Sequence, residues 1–336
     1  ATVAPLSRYV ANAVLRQKSL EFFSTGATRF DGQSAVAIYQ MTLLGLGQVV
    51  LDHPELRDEF LPAMRVAAAR LVEPRTLRYA SQVYPHHGLE QMGPLEGHAY
   101  LGYVNLGLGM LRRLDPAMAQ AAIHDRLTQD LAQRLARSPT GLIETYPGET
   151  WPPDVAAVAG SIGLHGQATG KDWGAVLRPW SERYARCAID ASGYLVQRVA
   201  SGGCRPVDAP RGSGTAVAAY FLSFADRSIS SRLHAALRRH GRRSVLGFGG
   251  IVEDPIWRKG ASDLNAGPQI LGISMGATGF GLGAARAHGD RELFTELFRT
   301  TSLFGVPASD GATAQFAVGG VLGNALLLAM LTARSG

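Results

Sequence analysis

Two kinds of helical segment alternate along the chain, and this alternation predicts the fold. One kind is nearly free of charge and rich in small residues, as in TLLGLGQVV and AVGGVLGNALLLA; the other carries Arg, Glu and Asp beside an apolar stripe, as in ELRDEFLPAMRVAAARL. A helix that is apolar all round is buried, whereas a helix with one polar face lies at the surface. The apolar period and the stop signals predict buried helices at 34–52, 96–113, 154–169, 212–224, 268–288 and 317–334. They predict surface helices at 6–24, 54–72, 116–138, 172–189, 227–240 and 290–302.

Six buried helices that alternate with six surface helices are typical of an all-α (α/α)6 toroid, a barrel in which the buried helices form an inner ring. Because twelve helices complete one closed pair of rings, we expect a single domain over 1–336. Few residues remain for strands. The segments YLVQRV (194–199) and GFGGIVED (247–254) predict short β-hairpin pieces on the loops of one face.

The lengths of the connections predict where a functional site lies. Connections that lead into buried helices are long, and those that leave them are short, so the long loops should gather at one end of the barrel and form a funnel. Loops on a rigid scaffold are where binding and catalysis concentrate. The long connections are 73–95, 139–153, 190–211 and 241–267, and examples of short ones are 51–54 and 288–290.

The loop GLIETYPGETWPPD (141–154) carries the densest chemistry, with carboxylates at Glu144, Glu149 and Asp154. Splitting a glycosidic bond needs one protonated carboxyl and one ionised carboxylate, and dehydrating an alcohol needs an acid and a base. Glu144 and Asp154 are the leading catalytic pair, and Glu149 competes with Glu144. The alternative is that Asp154 only caps its helix and that both glutamates face water.

Two further catalytic candidates stand at the starts of other buried helices. His98 is a candidate base or substrate ligand, with a packed core histidine as the alternative; Asp263 is a candidate acid or base, with a helix cap as the alternative. Aromatic side chains on the same loops could stack on a sugar, wall an apolar ligand or only pack under the loops. Arg211 either clamps an acidic group or pairs with Asp208. The substrate-binding candidates are Tyr84, His86, Tyr100, Tyr146, Trp151, Arg211, Trp257 and Asn265.

The order of three segments resembles a known family. The segments are LEGHAYLGYVNLGLGML (95–111), GLIETYPGETWPPDVAAV (141–158) and GPQILGISMGATGFGLGAARAHGDRELF (267–294). Together with the alternating hairpins they look like the six-hairpin glycosidase superfamily and, remotely, the linalool dehydratase-isomerase family. The resemblance implies the barrel fold, a site at the funnel and a role for His98. That family also uses two cysteines, at positions that read Glu144 and Pro153 here, so the resemblance implies an altered chemistry.

Composition and motifs exclude several classes of function. The net charge is +6, but the basic residues are scattered and the run 238–243 lacks interleaved aromatics, so no nucleic-acid partner is expected. No apolar run reaches the length of about 18 residues that spans a bilayer, so we expect no transmembrane segment. The glycines of GFGLGAAR (279–286) follow no strand, and His86 and His87 lack a third ligand, so neither a cofactor nor a metal is predicted.

Three classes of function remain open, all with a small-molecule or saccharide substrate or ligand. The first is a glycoside hydrolase-like enzyme, the second a lyase or isomerase that dehydrates an alcohol, and the third a non-catalytic scaffold. The two cysteines, Cys187 and Cys204, are either buried thiols or one disulfide of an exported protein. Periplasmic or secreted and cytoplasmic locations both stay open, as does the oligomeric state.

Overall fold

Inner and outer α-helices alternate along the fold, and short antiparallel sheets join them. This computed structural model describes residues 3–16, 33–81, 89, 99–255, 269–270 and 272–334. In chain order the α-helices are α1 (Val3–Arg16), α2 (Gln33–Asp52), α3 (Arg57–Leu71), α4 (Pro74–Ser81), α5 (Leu101–Leu114), α6 (Ala121–Arg137), α7 (Pro152–Thr169), α8 (Gly174–Ala188), α9 (Gly212–Leu222), α10 (Arg227–Ala236), α11 (Met275–Ala287), α12 (Arg291–Gly305) and α13 (Gly320–Leu331).

The inner ring consists of α2, α5, α7, α9, α11 and α13, each packed against the next, and α13 closes the ring against α2. Small residues bring these helices together. A Cβ on Gly102 would lie 2.6 Å from the backbone nitrogen of Val158, and one on Gly160 would lie 2.5 Å from the carbonyl oxygen of Phe221. The charged helices α3, α6, α10 and α12 pack on the outside of this ring. The two concentric rings predicted from the sequence are therefore confirmed.

Hydrogen bonds between polar side chains stabilise the contact of α2 with α13, where the inner ring closes. The amide nitrogen of Gln48 on α2 donates to the Ala329 carbonyl at 3.0 Å and to the Thr332 hydroxyl at 3.1 Å. Its amide oxygen accepts from the Tyr220 hydroxyl of α9 at 2.7 Å. All four groups are buried, so each of these hydrogen bonds avoids the cost of an unpaired polar group.

Within the described residues, three short antiparallel sheets lie in the connections that lead into inner helices. Their orders are β1-β2-β3, β4-β5-β7-β6 and β8-β9, and the hairpin pieces predicted at 194–199 and 247–254 fall in the first two. The strands are β1 (Glu149–Thr150), β2 (Val196–Ala200), β3 (Pro206–Pro210), β4 (Arg242–Val245), β5 (Phe248–Val252), β6 (Gln269–Ile270), β7 (Ile273–Ser274), β8 (Pro307–Ser309) and β9 (Ala314–Phe316).

Several helix boundaries differ from the sequence prediction. The predicted helix 268–288 opens instead as the hairpin β6–β7, because Gly272 turns with a positive φ of 79° and the Ser274 hydroxyl caps α11 by accepting from the Ala277 N–H. The last inner helix starts late, at Gly320, because Gly319 and Gly320 have φ values of 97° and 55°. Helix α4 lies within a stretch predicted as loop, 73–95.

The structure also bears on the predictions about the two cysteines and about membrane-spanning segments. Cys187 and Cys204 form a disulfide with a Cα–Cα distance of 4.7 Å, which ties the end of α8 to the β2–β3 hairpin. By length and composition alone, α2 could span a membrane, although 83 % of its most apolar stretch is buried inside the barrel. The core helix of a barrel has the same properties. A single domain over 1–336 stays a prediction.

Candidate active site

A cavity of about 390 Å³ opens at the end of the barrel where the inner helices begin. Small-molecule sites are usually concave pockets of about 300–1,000 Å³. Every inner helix contributes to the wall. Its polar and aromatic lining residues are Gln33, Ser34, Gln40, Tyr103, Tyr146, Trp151, Asp154, Gln197 and Ser213, and its apolar ones include Met41, Val217, Phe280, Leu322 and Leu326.

Asp154 is the one carboxyl that lines this cavity among the described residues. It lies in the first turn of α7, but its side chain does not cap the helix, whose N-cap is Trp151. One carboxyl oxygen accepts from the Tyr103 hydroxyl at 2.5 Å, and the other accepts from the Thr145 hydroxyl at 2.8 Å. Two elements, α5 and the loop before α7, therefore hold the carboxyl in a fixed orientation.

Burial raises the pKa of Asp154 from 3.8 to about 6, although the hydrogen bonds from Tyr103 and Thr145 lower it. Desolvation disfavours the charged carboxylate, whereas donors to it favour the charge, and here desolvation is the larger effect. Near neutral pH both forms of Asp154 are populated. Such a group can give up a proton and take it back.

Two aromatic candidates line the same cavity. Tyr146 is 3 % exposed, and Trp151 is half-buried beside it on the loop before α7. The Arg198 guanidinium lies 5.6 Å from the Trp151 ring centroid and pairs with Asp208 at 3.1 Å. Asp208 therefore has Arg198 as a partner, and the two alternatives for Arg211 stay predictions.

The other two carboxylates of the loop do not line the cavity in the described part of the chain. Glu144 accepts from the backbone N–H of Gly148 at 3.2 Å and from the Ser201 hydroxyl. Glu149 accepts from the indole N–H of Trp151 at 3.2 Å. Glu144 and Asp154 stand on one loop, but only Asp154 reaches the cavity wall.

A second buried carboxyl, Glu253, lies behind the cavity wall. It is 1 % exposed and follows β5. Its oxygens accept from the Ser213 hydroxyl at 2.6 Å and from the Ser213 backbone N–H at 3.3 Å, and Ser274 also hydrogen bonds to it. Burial raises the pKa of Glu253, and these hydrogen bonds and the charge of Arg211 lower it. Since Ser213 belongs to α9 and Ser274 caps α11, Glu253 joins the starts of two inner helices.

In the described part of the chain, polar atoms of some lining side chains are buried without a hydrogen-bond partner. They are the amide nitrogen of Gln40, the amide oxygen of Gln197 and the hydroxyl of Ser34. Leaving such an atom unpaired costs about 1–3 kcal/mol. A polar ligand in the cavity would offer these atoms the partners that the described residues do not supply.

The remaining sequence candidates divide into two groups. Tyr100 is fully buried just before α5, and Arg211 stands at the N-cap position of α9. The others lie outside the described residues, namely Tyr84, His86, His98, Trp257, Asp263 and Asn265. Their roles stay predictions.

Sequence reasoning did not single out Tyr103, Thr145, Gln40, Gln197, Ser213 or Glu253. One signal was present in the chain: Gln40 and Tyr103 are polar interruptions of inner helices that otherwise read as apolar. For Glu253 the adjacent acid, Asp254, stood in the same predicted strand, and only the register of β5 shows which of the two carboxyls points inward.

Comparison with known proteins supports the fold but does not identify the reaction. No protein-family profile and no curated protein matches the chain. Its fold is similar to unsaturated glucuronyl hydrolase from Bacillus sp. GL1, described as responsible for the degradation of glycosaminoglycan, with a TM-score of 0.54 and 13 % identity over 98 % of this chain and 94 % of that chain. A substituted UGL with dGlcA-Glc-Rha-Glc matches with a TM-score of 0.55, at the same identity and coverage.

Such identity shows the fold alone. The (α/α)6 barrel predicted from the sequence is confirmed. The part of the resemblance that points to a dehydratase-isomerase stays a proposal.

Proposed function

We propose that the protein is an acid/base enzyme that acts on a carbohydrate and that Asp154 transfers the proton. The observation that carries this proposal is a half-buried carboxyl with a pKa of about 6 on the wall of a ligand-sized cavity. A general acid or base works best when its pKa is close to the working pH. Protonated Asp154 can give its proton to the oxygen of a leaving group, and ionised Asp154 can take a proton from water.

The lining favours a hydroxylated substrate. Buried polar atoms of Gln40, Gln197 and Ser34 lack partners, and sugar hydroxyls both donate and accept hydrogen bonds. Tyr146 and Trp151 place aromatic surface beside Asp154, which suits the apolar face of a sugar ring. The similar solved structures are carbohydrate hydrolases by name, which agrees with this substrate class.

Hydrolysis with a second carboxyl needs a partner for Asp154. Glu144 and Glu149 stand on the loop before α7, and Asp263 and His98 stand before or at the starts of other inner helices in the sequence. These four residues remain our candidates for the second group. A separation of about 5–5.5 Å between two carboxyls would indicate a retaining glycosidase, and about 6.5–9.5 Å an inverting one.

Dehydration of an alcohol is the second candidate, because the far wall of the cavity is apolar. Helix α13 stands three places from α7 in a ring of six, so it lies opposite Asp154. It contributes Leu322 and Leu326, and its neighbour α11 contributes Phe280. A single carboxyl can protonate a departing hydroxyl and then accept a proton from carbon, so this reaction does not require a second acid.

The test compares Asp154→Asn with Asp58→Asn on two substrate panels, unsaturated uronyl and aryl glycosides on one side and hydrocarbon alcohols on the other. Asp58 is a matched control because its side chain is 98 % exposed on the outer helix α3. We expect wild type and Asp58→Asn to turn over a glycoside, and kcat of Asp154→Asn to fall about 10²- to 10⁴-fold.

Each other result has a defined meaning. Turnover of alcohols alone would select the dehydratase. Full activity in Asp154→Asn would exclude this residue as the proton carrier. Binding of a ligand without turnover by wild type would favour the non-catalytic scaffold.

A further inference from the structure

A second cluster of ionisable side chains lies at the opposite end of the barrel, where the inner helices finish. His124 and Asp125 stand near the start of α6, and His165 stands in the last turns of α7. One potential ligand atom from each residue lies within 4.8 Å of the other two. We propose that His124, Asp125 and His165 bind one divalent transition-metal ion, for which Zn²⁺ is the best match to two imidazoles and a carboxylate.

His124 carries the argument because it is buried without a partner. The residue is 0 % exposed, and neither of its ring nitrogens has a hydrogen bond to the residues that the structure describes. A neutral imidazole has one N–H donor and one acceptor nitrogen, so both groups lack a partner in a buried position. A metal ion bound to the acceptor nitrogen would satisfy it. Burial and the neighbouring His165 lower the pKa of His124 to about 3, so the ring is in the neutral form that binds metals.

The other two side chains already face each other. Nε2 of His165 lies 2.9 Å from a carboxylate oxygen of Asp125, and the rings of His124 and His165 have centroids 4.8 Å apart. An ion that enters between these groups replaces the hydrogen bond from His165 to Asp125 by two coordinate bonds. Asp125 is 52 % exposed at its side chain, which gives the ion a path from solvent and leaves room for a water as fourth ligand.

Metal binding requires a proton to change nitrogen on His165. Without metal, Nδ1 of His165 accepts from the Trp173 indole at 3.1 Å, and the proton is on Nε2. With metal on Nε2, the proton moves to Nδ1 and can be donated to the Thr169 hydroxyl, which lies 3.3 Å away, and the Trp173 indole N–H gives up Nδ1 as its acceptor. The ring keeps one proton throughout. A ligating histidine that donates its other N–H to a neighbour is the usual arrangement.

Nearby positive charges limit the affinity. Arg112 lies 3.8 Å from the second carboxylate oxygen of Asp125 and lowers the pKa of both histidines, and Lys171 lowers that of His165. Arg112 can hold Asp125 in place as a neighbour of the ligand, whereas Lys171 repels the ion. We therefore expect a site that saturates in solution with added metal rather than one that survives extensive chelation.

The experiment titrates chelator-treated full-length protein with Zn²⁺ by calorimetry and with Co²⁺ by visible absorption. We expect one ion per chain, the intense visible bands of a low-coordinate Co²⁺ site, and a higher Tm with Zn²⁺. Asp125→Asn and His124→Gln should each weaken binding at least ~10-fold, the scale that the loss of even an outer partner causes. His53→Gln is the control, since His53 is an exposed histidine that pairs with Glu55 on the surface.

Asp125→Asn keeps the test decisive even if His124→Gln does not fold, because Asp125 is largely at the surface. Equal binding by wild type and Asp125→Asn would overturn the proposal, as would a loss of binding in His53→Gln alone. No binding by wild type would also overturn it and would leave only the hydrogen bond between His165 and Asp125. These readouts do not depend on the activity proposed for Asp154.

Discussion

Asp154 and Glu253 are two buried carboxyls that share a physical state and differ in their access to a ligand. Burial raises the pKa of both, and both accept hydrogen bonds from hydroxyl groups. Asp154 is half-buried on the cavity wall, whereas Glu253 is 1 % exposed behind it. Glu253 also accepts a hydrogen bond from a backbone N–H of α9, so its carboxyl has its partners within the protein.

The comparison teaches that a raised pKa does not identify a catalytic group by itself. Desolvation acts on any buried carboxyl, whether it faces a ligand or a neighbouring helix. Perturbed groups are candidates for function chiefly when they lie in a cleft. By that criterion Asp154 is a candidate for proton transfer, and Glu253 is a structural connection between α9 and α11.

The largest expected effect on stability is at Glu253. Glu253→Ala should lower the free energy of unfolding by about 3–5 kcal/mol, because it leaves buried partners of the carboxylate without an acceptor. Urea unfolding of wild type and variant measures the loss. Glu253→Gln should lose less, since its amide oxygen can still accept from the Ser213 hydroxyl. A neutral outcome for Glu253→Ala would mean that the two carboxyls do not differ as described.

Asp154 should have the opposite effect on stability. Its pKa is about 6 in the fold against 3.8 ordinarily, so the folded protein holds this proton to higher pH than the unfolded chain does. The resulting stabilisation is complete below pH ~4 and is lost as the pH rises to ~6, by at most about 3 kcal/mol. Asp154→Asn should remove this pH dependence and be the more stable protein at pH 7. If the free energy of unfolding changed by the same amount between pH 4.5 and pH 7 in wild type and in Asp154→Asn, the result would contradict the assignment.

The smallest expected effect is a shift of the pH profile by Tyr103→Phe. The Tyr103 hydroxyl lowers the pKa of Asp154 by hydrogen bonding to it. Without it, the pKa should rise, and the limb of the kcat/KM profile that reports Asp154 should move up by about 1–2 pH units, given about 1.5–3 kcal/mol for a hydrogen bond to a charged group. Thr145→Val should move the limb in the same direction. A downward shift in either variant would exclude Asp154 as the titrating group.

The sequence predicted the rings because helix burial follows from a pattern along each helix. The start of α11 could not be read that way, since Gly272 and Ser274 lie in a stretch as apolar and small as the helix itself. Asp154 was found because prolines and carboxylates mark its loop. Tyr103 is 51 residues away in the chain, and no local pattern indicates that its hydroxyl meets Asp154. The partners of a site depend on how inner helices face one another, which is settled by tertiary packing.

The closure of the ring between α2 and α13 has a consequence for synthesis of the protein. Gln48 and its partner Ala329 are 281 residues apart, so α2 cannot complete its packing until nearly the whole barrel has been made. At about 5–20 residues per second, one apolar flank of α2 waits roughly 15–60 s for its neighbour. During that interval the nascent chain exposes a helix that the finished barrel hides. Helix α2 is therefore synthesised early, but its partner α13 is synthesised last. The yield of folded protein should depend on whether a chaperone covers the exposed flank of α2 during synthesis.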